Sequence, residues 1–139
     1  MLTDQPGTYV LWLRCAIQGE RPIGKLGTLH LQPGYYAYVG SAFGPGGLRA
    51  RIQHHLRTPK RPHWHIDYLR EVTIAQEIWF IHGDRCMEHR WAGRLAQLPE
   101  VRIPLAGFGS SDCRCPAHLF HCKSVLQPFP DPGLQRFRT

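Results

Sequence analysis

What this sequence lacks narrows it first. No apolar run approaches the ~18 residues of a membrane-spanning helix. Residues 1–7 carry neither the basic stretch nor the apolar core of a secretory leader. The expectation is a soluble, unexported, cytoplasmic protein with no membrane partner. Cysteine is sparse and odd in number, at Cys15, Cys86, Cys113, Cys115 and Cys122, which argues against a disulfide framework and for reduced thiols. No internal repeat or interdomain linker interrupts the 139 residues, a length that suits one core. The reading is one domain over residues 1–126, followed at 127–139 by a proline-containing tail that lies against the surface or is partly disordered.

Acidic residues are also scarce, with 10 Asp and Glu against 17 Lys and Arg and a net charge of +7. Leu48 to Arg70 contains Arg49, Arg51, Arg57, Lys60, Arg61 and Arg70 against Asp67 alone, so this window holds +5 of the +7. A concentrated basic segment is the footprint of a phosphate-backbone binder, although a solvated basic face has the same composition.

The chain alternates two periodicities. Gly7 to Ala16 is rich in β-branched and aromatic residues and reads as a strand, with Tyr9, Leu11 and Leu13 on one face and Val10 and Trp12 on the other. Gln18-Gly19-Glu20 and Pro22 read as turn signals before a strand near Lys25 to Leu31. Pro33-Gly34 then turns into a strand at Tyr35 to Val39, which suggests an antiparallel meander. Gly40 to Gly47 reads as a glycine-rich connector. Leu48 to Arg57 changes to helical period, with Leu48, Ile52 and Leu56 in one column. His63 to Arg70 suits a short helix or turn, and Val72 to Ile81 a strand. Asp84 to Leu98 suits a helix capped by Asp84 with the stripe Met87, Trp91, Leu95 and Leu98. His118 to Val125 reads as a short edge strand. The fold class is α/β: a mainly antiparallel central sheet flanked by helices.

Several residues sit where chemistry needs them. Arg51 and His55, four apart, share the shoulder of the first helix's apolar column. A guanidinium at the edge of a core can grip a phosphate bidentately, and a neighbouring imidazole can take a proton or bond a phenol; a snorkelling Arg beside a satisfied His fits the same spacing. Glu88 falls close to the apolar stripe of the later helix, where a carboxylate needs a partner such as a divalent cation, the helix dipole or a salt bridge.

Gly7-Thr8-Tyr9 on a first strand, Tyr38-Val39-Gly40 ending a later one, Arg51 and His55 on one helix and Glu88 on another together resemble the GIY-YIG nucleases. The strings GYYAYVGSAFGPGGLRARIQHHL, HWHIDYL and GFGSSDCRCPAHLF resemble the Uri-type, or DUF123, endonucleases within that superfamily. The likeness extends from Gly7 to about Phe120. It implies a GIY-YIG-type domain that hydrolyses phosphodiester bonds of DNA at one Mg²⁺ or Mn²⁺ ion, in repair or DNA processing. Tyr9 and Tyr38 would be the motif tyrosines, one of them orienting or deprotonating the attacking water. Arg51 would hold the scissile phosphate, His55 would stand at a family His or Tyr position, and Glu88 would bind the metal. Where many repair-type relatives have Lys after the second motif's glycine, this chain has Ser41.

Nucleic-acid contacts are expected from Ser41, Arg49, Arg57, Lys60, Arg61, His63 and His65. Trp64 can stack on a base or, with Tyr68, anchor the core. A zinc ion is a second candidate cofactor, at Cys113, Cys115, His118 and Cys122, four ligands within ten residues. The alternative function is a non-catalytic nucleic-acid-binding module or the targeting partner of a repair enzyme. RNA as substrate and a homodimer both stay open.

Overall fold

The computed structural model describes residues 1–57, 61–109 and 115–139. Seven strands and three helices follow in the order β1 (Gly7–Cys15), β2 (Gly19–Ile23), β3 (Gly27–Leu31), β4 (Gly34–Ala42), α1 (Gly47–Leu56), α2 (His65–Arg70), β5 (Ile74–His82), α3 (Glu88–Ala96), β6 (Leu119–Cys122) and β7 (Gln135–Arg138). Five strands form one antiparallel sheet in the order β6-β4-β1-β5-β7.

β1 sits at the centre, and its alternation divides the molecule. Tyr9, Leu11 and Leu13 enter one core together with Leu48 and Ile52 of α1 and Ile66 and Leu69 of α2. Val10 and Trp12 enter a second core with Trp91 and Leu95 of α3. Both faces of the sheet are therefore covered, as the apolar run of β1 requires.

The meander gives way to a different pairing. β1 pairs directly with β4, while β2 and β3 form a separate two-stranded ribbon whose Ile23, Leu29 and Leu31 pack on the first core. The turn signals around Gly19 and Pro22 thus lie inside a strand. Proline is tolerated there because a ribbon consists of edge strands. β4 runs on through Gly40 and Ser41, which the connector was expected to hold.

Two steric demands fix the join of sheet and helix. A Cβ on Gly7 would lie 2.3 Å from the Ile81 carbonyl oxygen and 2.4 Å from a Leu48 methyl, so only glycine lets α1 approach the sheet so closely. α3 starts at Glu88 rather than at Asp84, because its first backbone groups are held from the sheet: the Met87 N–H donates to the Thr8 hydroxyl at 3.0 Å.

The tail lies along the domain, the first of its two expected arrangements, and carries a strand. Phe129 and Leu134 pack on the second core, Asp131 accepts the Trp91 indole N–H at 3.1 Å and an Arg94 hydrogen bond, and β7 completes the sheet beside β5. Glu77, itself buried, holds β7 through Arg136. Among the described residues no helix is long and apolar enough to cross a membrane.

Candidate active site

Tyr9 pairs opposite Gly40, and Leu11 opposite Tyr38. Paired residues share a face, so both phenols stand on the side of the sheet that α1 covers. Their ring centroids are 6.3 Å apart. Gly40 is required by this arrangement, since a Cβ there would lie 2.4 Å from the Tyr9 hydroxyl oxygen. The glycine closing the second triplet makes room for the tyrosine of the first.

The first core's helix brings the next two groups. His55 is buried, and its Nε2 lies 2.5 Å from the Tyr9 hydroxyl. Burial, followed by the facing His54 and Arg51, pushes its pKa down to about 3, so the ring is neutral at physiological pH. Its Nδ1 is a buried polar atom with no hydrogen-bond partner. Arg51 is half-buried; its Nη1 donates to the Ser41 carbonyl at 3.0 Å, and its guanidinium lies 4.5 Å from the centre of the Trp64 ring. These two contacts hold the cation against β4.

Burial and then the neighbouring Tyr38 raise the Tyr9 phenol well above its usual range, while Arg51 opposes this by charge and by a hydrogen bond. Tyr38 is raised as well, by burial and then by Glu88, with Arg51 again opposing. Both phenols are neutral at pH 7.

Glu88 reaches this group from the other layer. α3 packs on the opposite face of the sheet, but β6 pairs with β4 only over Tyr35–Tyr38, and the first turn of α3 comes beside the free end of β4. The Thr8 hydroxyl fixes that turn. Glu88 Oε2 lies 3.3 Å from His118 Nδ1, and the carboxylate side chain is 18% exposed. Tyr38, Arg51 and Glu88 line one cleft of about 460 Å³, with His63, Trp64 and His65 on its other wall. Tyr9 and His55 lie behind Tyr38, buried and away from the cleft surface.

The wall opposite is set by Asp67. This buried carboxylate accepts the backbone N–H groups of His63 and Trp64 at 2.9 Å each and meets His54 Nε2 at 3.0 Å. Burial alone would raise its pKa, but these three partners hold it below the usual carboxylate range. His65 Nδ1 accepts the Gly109 N–H at 2.9 Å, and a Cβ on Gly109 would lie 2.9 Å from the Tyr38 ring. Trp64 and Tyr68 both pack against the first core, and Trp64 also faces the cleft.

The sequence-predicted nucleic-acid contacts divide. Ser41, His63 and His65 line the cleft. Arg57 and Arg61 are exposed outside it, and Arg49, also exposed, donates to the Leu2 carbonyl. Arg70, counted in the basic window, is buried and donates to the His55 and Thr73 carbonyls, so it braces α1 and meets no solvent-borne phosphate. Lys60 lies outside the described residues.

Of the four zinc candidates, Cys113 also lies outside the described residues, and Cys115 and His118 come together with His89. Cys122 does not join them. It is buried on β6 in the second core, and burial, then Glu100, pushes its thiol up to about 11. Four residue steps of extended chain place it about 13 Å from His118.

Sequence reasoning missed Thr8, His89 and Gly109 as parts of the site. Thr8 had a signal, as the middle residue of the first triplet, but its hydroxyl acts on the face away from the tyrosines.

A central antiparallel sheet whose phenols meet a cation and a carboxylate from opposite layers defines a small α/β domain with a polar cleft at the end of one strand. Residues 8–131 match the family described as a domain of unknown function, DUF123, and the chain belongs to that family. No curated protein and no solved structure matches the chain.

Proposed function

We propose that the protein is a divalent-metal-dependent endonuclease of the GIY-YIG type, Uri-like within that superfamily, which hydrolyses phosphodiester bonds of DNA in repair or DNA processing. The observation that carries this reading is the meeting of Tyr38, Arg51 and Glu88 on one cleft, from a strand and from helices on opposite faces of the sheet. A phenol, a guanidinium and a carboxylate brought to one cleft from three elements suit a reacting constellation.

Arg51, held by Ser41 and Trp64, grips the scissile phosphate and stabilises the charge that grows on it. Glu88 is the only carboxylate among the described residues lining the cleft. One carboxylate, completed by water and phosphate oxygens, suits Mg²⁺ or Mn²⁺. Such an ion supplies a Lewis acid and a more acidic water. Tyr38 is the phenol at the cleft surface and orients the attacking water by a hydrogen bond; Arg51 is the group that favours its phenolate. Tyr9 acts from behind, its hydroxyl fixed by neutral His55. His63 and His65 meet flanking phosphates, while Trp64 offers a stacking face.

The test incubates the protein with supercoiled plasmid and Mg²⁺ or Mn²⁺ beside Glu88→Ala and Arg51→Ala. Nicking by the parent alone is expected. Equal nicking by parent and Glu88→Ala removes the claim, and salt-sensitive binding of duplex, branched and single-stranded DNA without any cleavage favours a binding module instead.

A further inference from the structure

One group of His and Cys side chains among the described residues is close enough to share an ion. The ligand atoms of His89, Cys115 and His118 all lie within 4.8 Å of one another, and His89 Nδ1 is 3.1 Å from Cys115 Sγ. Zinc–nitrogen and zinc–sulfur bonds of about 2.0–2.3 Å in a tetrahedron place ligand atoms roughly 3.5 Å apart. The group therefore needs only a small adjustment to close on a metal.

We propose that His89, Cys115 and His118 form a Zn²⁺ site of three protein ligands, with water in the fourth tetrahedral position. Two imidazoles and a thiolate select zinc over magnesium, which takes oxygen ligands, so the site differs from the Glu88 carboxylate in the ion it takes, although His89 and His118 line the same cleft. Its ligands come from two segments, the first turn of α3 and the stretch that leads into β6. A shared ion ties them together. Glu88 then has a second use: its Oε2, 3.3 Å from His118 Nδ1, is the outer carboxylate that orients a ligating imidazole. The site goes beyond the nuclease reading and does not rest on it, since zinc binding is measured without nucleic acid.

Full-length protein is loaded with zinc, passed through a sizing column and analysed for metal. Roughly one zinc per chain is expected for a three-ligand site. Apoprotein titrated with Co²⁺ is expected to show the visible bands of a tetrahedral ion and a thiolate charge-transfer band. Cys115→Ser should lose the charge-transfer band and His89→Ala the tetrahedral spectrum, while Cys122→Ser keeps both. Should a variant fail to fold, the parent still decides through thiol alkylation mapped by mass spectrometry: zinc should protect Cys115 and leave the exposed Cys86 reactive. No retained zinc, equal labelling of Cys115 with and without zinc, or an unchanged spectrum in folded His89→Ala overturns the proposal.

Discussion

Replacing Gly40 with alanine tests the packing that holds the two tyrosines. The new Cβ would lie 2.4 Å from the Tyr9 hydroxyl oxygen and 2.5 Å from Cζ, about 1 Å inside the ~3.5 Å of ordinary contact. Neither side can retreat easily. Tyr9 is fully buried with its hydroxyl bonded to His55, and Gly40 is paired in the β1–β4 ladder. Over-packing of this kind costs about 1–3 kcal/mol, and a locked ring against a locked strand belongs in the upper half of that range, about 2–3 kcal/mol. For 139 residues, an unfolding entropy near 2.1 cal/mol/K per residue turns this into a fall in Tm of roughly 7–10 °C. Urea and thermal denaturation measure it. A double-mutant cycle with Tyr9→Ala isolates the cause: without the ring there is no clash, so the double variant should fall short of the summed single effects by at least about 1 kcal/mol. Strict additivity, or a Gly40→Ala stability within about 0.5 kcal/mol of the parent, would refute the reasoning.

Two more predictions follow from the buried polar groups. His55 titrates near 3 in the folded protein and near 6.5 when unfolded, so the unfolded chain takes up a proton first as pH falls. Stability should be full above about pH 6.5 and decline between about 6.5 and 3 by up to ~1.4 kcal/mol per pH unit from this group. Denaturation at stepped pH should show a flatter slope in His55→Gln, and an unchanged slope counts against the assignment. Thr8→Val keeps the shape but strands the Met87 N–H, for a loss of about 1–3 kcal/mol. The proposed nicking activity should drop further than that loss explains, because Glu88 begins the turn Thr8 holds; a stable Thr8→Val that nicks as the parent does would contradict it.

Strands β1, β4, β5 and β6 of the main sheet were legible because residues alternate, as where Tyr9, Leu11 and Leu13 separate from Val10 and Trp12, whereas β7 lies in the tail, which shows little periodicity. The pairing of β1 with β4 was not, since local turn signals around Gly19 and Pro22 resemble a hairpin connector and say nothing about which strand lies across the sheet. Arg51, His55 and Glu88 stood out as polar residues beside apolar columns. Thr8 and His89 did not, because a hydroxyl and an imidazole at polar positions look ordinary until their partners, distant in sequence, are brought to them. Charge counting also misled: Arg70 adds to the basic window on paper and disappears into the core in space.

Because the carboxylate of the cleft is carried by the layer opposite its arginine, the cleft is a joint between two bodies rather than a pocket within one. The position of Glu88 depends on how α3 rests on its side of the sheet, and α3 is gripped there by Asp131 through Trp91 and Arg94. Asp131, which does not line the cleft, thereby bears on that joint through α3. Changes at Asp131 should alter the spacing of Glu88 and Arg51 without changing the identity of any cleft side chain.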